Sequence, residues 1–126
     1  MVNAPEGSYL SFFQRVVGLA HYTNRNFVFT NNITPHNEYG VWGSGQGVGD
    51  VALNFYFPGA IFRKNVIVGV PSGVSYPTDN FLIATLSQVG FVNLAGGDYR
   101  LGSNSLYRNG GTDSKDIGCD VTALPQ

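Results

Sequence analysis

A repeat at an interval of 33 residues constrains the fold of this chain more than any other feature. Two segments, 26–33 and 60–68, each carry alternating apolar residues followed by a bend residue. The matching positions are Phe29 with Phe62, Asn32 with Asn65, and Ile33 with Val66. A third, weaker copy at 89–94 sets Phe91 against Phe62. Repeats of this length, each with a short strand and a bend, are typical of solenoids, because one rung cannot bury its inward face without neighbours.

The composition agrees with a stacked β-coil. Only 12% of the 126 residues are charged, 17 are Gly, and Asn is frequent at the expected bends, where its tolerance of positive φ is useful. The length favours one domain. The sequence therefore predicts an all-β chain, a solenoid of few rungs. A Gly- and Asn-rich β-sandwich, with the same residues closing hairpins, is the alternative.

The first 25 residues depart from the repeat. Residues 9–20 place apolar side chains at near-helical spacing, with Ser8 available as an N-cap and Gly18 as a flaw. They predict a short helix, although Val and Phe also favour a pair of short strands. We expect residues 1–25 to form an N-terminal cap or swapped segment, 26–97 the rungs with long loops, and 98–126 a closing segment.

Charge and cysteine content remove several classes of function. A net charge of −1 offers no electrostatic footprint for nucleic acid or for an anionic membrane surface. The single cysteine, Cys119, excludes an intrachain disulfide. No apolar stretch approaches the roughly 18 residues of a membrane span, and residues 1–6 lack the basic flank of a secretory signal.

Several segments resemble bacterial right-handed parallel β-helix repeat proteins, in the superfamily that includes the pectate-lyase-like enzymes. The resemblance spans about residues 26–124 and is carried by 29–33, 35–41, 56–59, 62–67, the Asp-Tyr-Arg-Leu of 98–101 and the Gly-Thr-Asp-x-x-Asp-Ile-Gly of 111–118. It implies a right-handed parallel β-helix of few rungs, formed from the C-terminal rungs and cap of an exported, secreted or cell-surface carbohydrate-related lineage. Because an uncovered rung exposes strand backbone, homo-oligomer formation through the open end is expected.

The function expected from this resemblance is a carbohydrate-binding or structural module. The alternative is a polysaccharide lyase or glycoside hydrolase, in which a loop carboxylate shares a site with a basic residue on the lateral face. The candidate carboxylates are Glu38, Asp50 and Asp79, and the candidate basic residues are Arg63 and Lys64. If Phe62 points inward, Arg63 points outward, although the two cations are better explained as solvated residues that discourage edge pairing.

Aromatic residues expected in loops supply the candidate ligand contacts, because an exposed ring can stack on a sugar face. They are Tyr39, Trp42, Tyr56 and Tyr76. Trp42 is the first to test, because it lies between Gly40 and Gly43 in a segment expected to form a loop. Its alternative role is to cover the core beneath a long loop.

No cofactor is expected. His21 and His36 lack a metal-binding spacing, and His36 is expected to decorate a turn after Pro35. The glycine-rich run 43–49 predicts a flexible loop. Calcium has no supporting motif, since no paired aspartates occur on a rung. Three aspartates near the C-terminus are expected to bond turn amides rather than gather a cation: Asp113, Asp116 and Asp120.

Overall fold

The computed structural model describes residues 23–123, so the predicted N-terminal helix at 9–20 lies outside the described residues. Within that range the elements are short. In chain order they are strands β1 Val28–Thr30, β2 Ile33–Pro35, β3 Trp42–Gly43 and β4 Gly47–Val48, helix α1 Asp50–Tyr56, strands β5 Ile61–Arg63, β6 Val66–Val68 and β7 Phe81–Ile83, the 3₁₀ helix Leu86–Val89, strands β8 Phe91–Asn93 and β9 Asp98–Leu101, and the 3₁₀ helix Val121–Ala123.

The 33-residue register is confirmed. β1 pairs with β5 in parallel and sets Phe29 opposite Phe62. β2 pairs with β6 in the same sense and sets Ile33 opposite Val66. The bends before the matched asparagines also correspond, because Asn31 and Lys64 both have positive φ, of 62° and 57°. Asn adopts this conformation more readily than Lys does.

A buried ladder of asparagine side chains joins the successive bends. Asn32 donates from its backbone N and its Nδ2 to the Oδ1 of Asn65, at 3.0 and 3.1 Å. Asn65 repeats the pattern toward Asn80, with two bonds of 3.0 Å, and its Nδ2 also donates to the carbonyl of Phe29 at 2.8 Å. Asn65 has no exposed surface. The ladder fixes the spacing of the bends without any charged group.

The sheet of β2, β6 and β7 has core on both faces, because neighbouring residues of a strand point to opposite sides. Ile67 packs into one buried cluster with Leu53, Tyr56, Phe57, Phe62 and Tyr76. Val66 packs into a second cluster with Ile33, Val89, Tyr107 and Ile117. The residues after β7 therefore complete the core on one side of the sheet.

Helix α1 was not expected. It buries Ala52, Leu53 and Tyr56 against the first cluster and carries Asp50 in its first turn. The spacing of those three residues gives a helix one apolar stripe. Pro58 and Gly59 follow the helix end at once and prevent its continuation.

The glycine-rich run predicted as a flexible loop forms a hairpin instead. β3 and β4 pair antiparallel, with Trp42 opposite Val48 and Gly43 opposite Gly47. Gly43 is buried because its Cα lies against the ring of Tyr56, where a Cβ would overlap the ring atoms. The contact ties the hairpin to α1.

The predicted all-β, right-handed parallel β-helix is wrong. Between residues 23 and 123 the strands belong to four separate sheets of two or three strands, two of the five pairings are antiparallel, and a helix interrupts the order. The third repeat is also wrong, because Phe91 pairs antiparallel with Leu101 in β8 and β9. The third parallel strand is β7, whose Phe81 pairs with Val66. Parallel stacking ends there, since the 3₁₀ helix and the β8–β9 hairpin turn the chain back.

Candidate functional site

Three predicted site residues meet on the outer surface after β5. The carboxylate of Asp79 accepts from Arg63 Nε and Lys64 Nζ, each at 2.9 Å. Hydrogen bonding from Lys64, aided by the charges of both cations, lowers the pKa of Asp79. The carboxylate therefore stays ionised and occupied by its partners, which suits an ion pair better than a proton donor. As expected, Phe62 is buried and Arg63 points outward.

The other two candidate carboxylates lie elsewhere. Glu38 is exposed in the turn between β2 and β3, whereas Asp50 begins α1 and its backbone N–H donates to the carbonyl of Ser75 at 2.9 Å. In the described part of the chain, neither forms an ion pair with Arg63 or Lys64. Paired acid and base groups are therefore not assembled from these residues.

Two of the four predicted ligand-binding aromatics are core residues, a correction to their expected exposure. Tyr56 lies on α1 rather than in a loop, is 7% exposed, and donates its hydroxyl to the carbonyl of Ser44 at 2.6 Å. Tyr76 is 6% exposed and accepts from the backbone N–H of Val41 at 3.1 Å. Burial raises the pKa of Tyr76 to about 12. Both rings anchor the hairpin rather than face solvent.

The remaining two aromatics form a surface pair. The rings of Tyr39 and Trp42 are 5.6 Å apart with 43° between their planes, and both side chains are half-buried. Trp42 and Gly43 are neighbours in β3, so the buried face of Gly43 directs Trp42 to the opposite side. We call Tyr39 and Trp42 the aromatic pair.

The turn that carries the aromatic pair rests on His36, which is buried rather than displayed on a turn. His36 is 2% exposed, and its Nδ1 donates to the carbonyl of Asn37 at 3.0 Å, because a carbonyl can only accept. Among the residues that the structure describes, Nε2 has no hydrogen-bond partner. It lies against Gly40, whose φ of +58° and contacts with His36 and Tyr76 leave no room for a Cβ. The turn that ends at Gly40 is thus tightly packed against His36 and Tyr76.

A cleft that the sequence did not indicate lies at the C-terminal end. It has a volume of about 480 Å³ and is formed by β9, the loop 109–119 and the last 3₁₀ helix. Its lining residues are Tyr99, Arg100, Leu101, Asn109, Ser114, Lys115, Asp116, Cys119, Asp120, Val121 and Thr122. Tyr99 is 56% exposed, and its ring meets Phe91 edge to face at 5.7 Å.

Aspartates fix the walls of this cleft, as predicted for turn amides. Asp116 accepts from the backbone N–H of Asn109 at 2.9 Å, Asp113 from Lys115 at 3.1 Å, and Asp120 from Thr122 at 3.0 Å. Over residues 23–123 no cluster of three His, Cys, Asp or Glu side chains is placed to hold a metal ion. His21 lies outside the described residues.

Comparison with known proteins adds no relatives. No family model matches the chain, and neither a curated protein nor a solved structure matches it. The resemblance to pectate-lyase-like repeat proteins, export of the parent lineage and self-association accordingly stay predictions. Within residues 23–123, no helix has the length and apolar character needed to cross a bilayer.

Proposed function

We propose that this chain is a carbohydrate-binding module whose sugar contact is the aromatic pair. The observation that carries the proposal is the packing of Tyr39 and Trp42 at 5.6 Å on the outer side of the β3–β4 hairpin. Rings of this kind offer an apolar face to the C–H face of a sugar.

The residues packed beneath the β3–β4 hairpin hold it in place, so a ligand can bind the aromatic pair with little rearrangement of the backbone. Tyr56 bonds the hairpin at Ser44, Tyr76 bonds it at Val41, and Gly43 packs on the ring of Tyr56. A site already ordered before binding loses less conformational entropy when the ligand arrives. The exposed carboxylate of Glu38 lies one residue before Tyr39 and adds an acceptor for hydroxyl groups.

The sole tryptophan makes the proposal directly testable. Tryptophan fluorescence of the wild-type chain is measured against neutral and acidic oligosaccharides, and at least one is expected to shift the emission. Tyr39→Ala keeps Trp42 as the fluorescent reporter and removes the other ring of the aromatic pair. The half-saturating concentration of the oligosaccharide is therefore expected to rise about tenfold.

Calorimetry with the same glycan checks Trp42→Ala, in which the reporter is lost and binding should fall at least as far. Leu106→Ala is the matched control, because it removes an apolar side chain that is 87% exposed and outside the aromatic pair. Binding is expected without new reducing ends or unsaturated products. Unchanged glycan affinity in both Tyr39→Ala and Trp42→Ala, or no binding to any glycan, would contradict the proposal.

A further inference from the structure

The C-terminal cleft has the size and the wall chemistry of a second binding site. Ligand cavities in proteins commonly measure about 300 to 1,000 Å³, and this one is about 480 Å³. It lies between β9 and the segment 109–122, far along the chain from the hairpin that carries Trp42.

The polar groups of the wall retain unused hydrogen-bonding capacity. Arg100 commits Nε and one terminal nitrogen to Asp98, at 2.8 and 2.5 Å, which leaves the other terminal nitrogen outside the described bonds. Within residues 23–123, the Nζ of Lys115 bonds only to Asp120, at a long 3.5 Å. Asp116 uses Oδ1 for the N–H of Asn109, and no described group donates to its Oδ2. Donors and acceptors thus stand together on one surface.

The charges of the lining residues balance, and Asp98, which is bonded to Arg100, adds one further carboxylate beside them. Arg100 and Lys115 contribute two cations, while Asp116 and Asp120 contribute two carboxylates. An anionic ligand would meet the carboxylates, and a cationic ligand would meet the basic groups. A hydroxyl group both donates and accepts, so a neutral ligand with many hydroxyls can satisfy both kinds of group at once.

Tyr99 adds an apolar platform at the edge of this polar wall. It is 56% exposed, and its ring packs edge to face against Phe91. An accessible ring beside donors and acceptors is suited to a pyranose, which has an apolar face and a polar rim.

The wall is also formed in advance of binding. Gly111 donates to the carbonyl of Lys115 at 2.9 Å, and Gly118 donates to the carbonyl of Asn31 at 2.9 Å. The second bond ties the loop to the bend that begins the asparagine ladder. The cleft is therefore supported by the main body of the protein rather than by its own loop alone.

We propose that this cleft is a second saccharide site, which binds a segment of a neutral oligosaccharide with one ring on Tyr99. Its hydroxyls are bonded by Arg100, Lys115 and Asp116. The ligand class rests on the proposed function, whereas the site itself is independent of the aromatic pair.

The sole cysteine reports on this cleft, because Cys119 is exposed and lines it. The rate of thiol labelling by a neutral maleimide is measured with cellohexaose, laminarihexaose, xylohexaose and mannohexaose, with sorbitol as the control for viscosity. At least one hexasaccharide is expected to slow labelling several-fold, and sorbitol is not. Hexagalacturonate tests the charge argument and is expected to protect less than the best neutral sugar.

Substitution of Tyr99 separates the ring from its hydroxyl. Tyr99→Ala is expected to raise the half-protecting sugar concentration about tenfold, whereas Tyr99→Phe keeps the ring and most of the protection. Leu106→Ala again serves as the control, and thermal unfolding verifies that each variant is folded. The second site is overturned if no neutral hexasaccharide protects Cys119, if hexagalacturonate protects best, or if Tyr99→Ala protects like the wild type.

The two reporters keep the two proposals distinguishable. A sugar response of Trp42 without protection of Cys119 overturns the second site and leaves the proposed function standing. Protection of Cys119 without a Trp42 response supports the second site and removes the aromatic pair as the sugar contact.

Discussion

The two ends of the described chain are held together by different kinds of bond. From Phe27 to Ile83 the contacts are distant in sequence, with parallel strands in register and asparagines bonded across 33 and 15 residues. From Leu86 to Ala123 the polar contacts are mostly local, such as Asp98 with Arg100 and Asp120 with Thr122. The first region has its central bonding residue, Asn65, fully buried, whereas the bonding residues Asp116 and Asp120 of the second are exposed.

The difference separates a region whose bonds stabilise the whole fold from a region whose surface is accessible to ligands. Buried long-range bonds close large loops and cannot be broken singly without leaving polar groups unsatisfied. Local bonds at the surface open with little effect on the remainder. We therefore expect substitutions in the ladder region to unfold the protein and substitutions of the exposed polar residues in the C-terminal region to alter the cleft alone.

The largest effect is expected for Asn65→Ala. Its side chain makes four hydrogen bonds, with Asn32 twice, Phe29 and Asn80. Removing it leaves buried donors and acceptors without partners, and we expect a loss of about 3 to 5 kcal/mol in the free energy of unfolding. Chemical denaturation measures the change.

The control for this substitution is Asn104→Ala, at an exposed position. Its effect is expected to stay within about 0.5 kcal/mol. A loss below about 1 kcal/mol in Asn65→Ala would show that the ladder does not stabilise the first region.

An alkaline loss of stability is expected next in size. The pKa of Tyr76 is raised to about 12 by burial, while an unfolded tyrosine titrates near 10. The folded state therefore holds the phenolic proton more tightly. The contribution is complete below about pH 10 and is lost as pH rises toward 12, in total about 2 to 3 kcal/mol.

Tyr76→Phe isolates this contribution. The variant should be about 1 kcal/mol less stable near neutral pH, because the N–H of Val41 loses its acceptor. Between pH 10 and 12 the wild type should then lose more stability than the variant, while the other titrating groups cancel in the difference. Parallel stability curves over that range would contradict the prediction.

The smallest effect is expected for Asp116→Ala, in the C-terminal region. The substitution removes the acceptor of the Asn109 N–H, and we expect a local cost of about 0.5 to 1 kcal/mol. Labelling of Cys119 without sugar should accelerate about two- to fivefold, while the denaturation midpoint scarcely moves. Asp116→Asn retains an acceptor oxygen and should label like the wild type. A large fall in the midpoint would remove the contrast between the two regions.

The sequence predicted the pairing of β1 with β5 and of β2 with β6, because parallel strands in register place like residues together. It did not predict β7. Asn80 and Phe81 repeat the order of Asn65 and Val66, but at an interval of 15 rather than 33 residues. It also missed α1, since Val51, Asn54 and Phe55 are weak helix formers and tertiary packing decides the segment.

The candidate sites were predicted unevenly. Tyr39 and Trp42 were identified by residue type, and the structure places them together. Tyr56 and Tyr76 could not be distinguished from them, because exposure depends on which loops the strands and α1 cover. The cleft was missed because its walls come from β9 and from a loop whose path is set by the positive φ of Asn109 and Ser114. Neither dihedral is apparent in the residue types alone.

The unequal intervals of the ladder also matter for protein engineering. The chain travels from Asn65 to Asn80 in 15 residues and from Asn32 to Asn65 in 33, yet each interval ends in the same asparagine-to-asparagine hydrogen bond. The length of the segment between two ladder asparagines is thus independent of the position of the next strand. The exposed turn at Ser72 and Gly73 lies within the shorter segment, between Asn65 and Asn80. A foreign peptide inserted at this turn would extend outward while β6 and β7 keep their register.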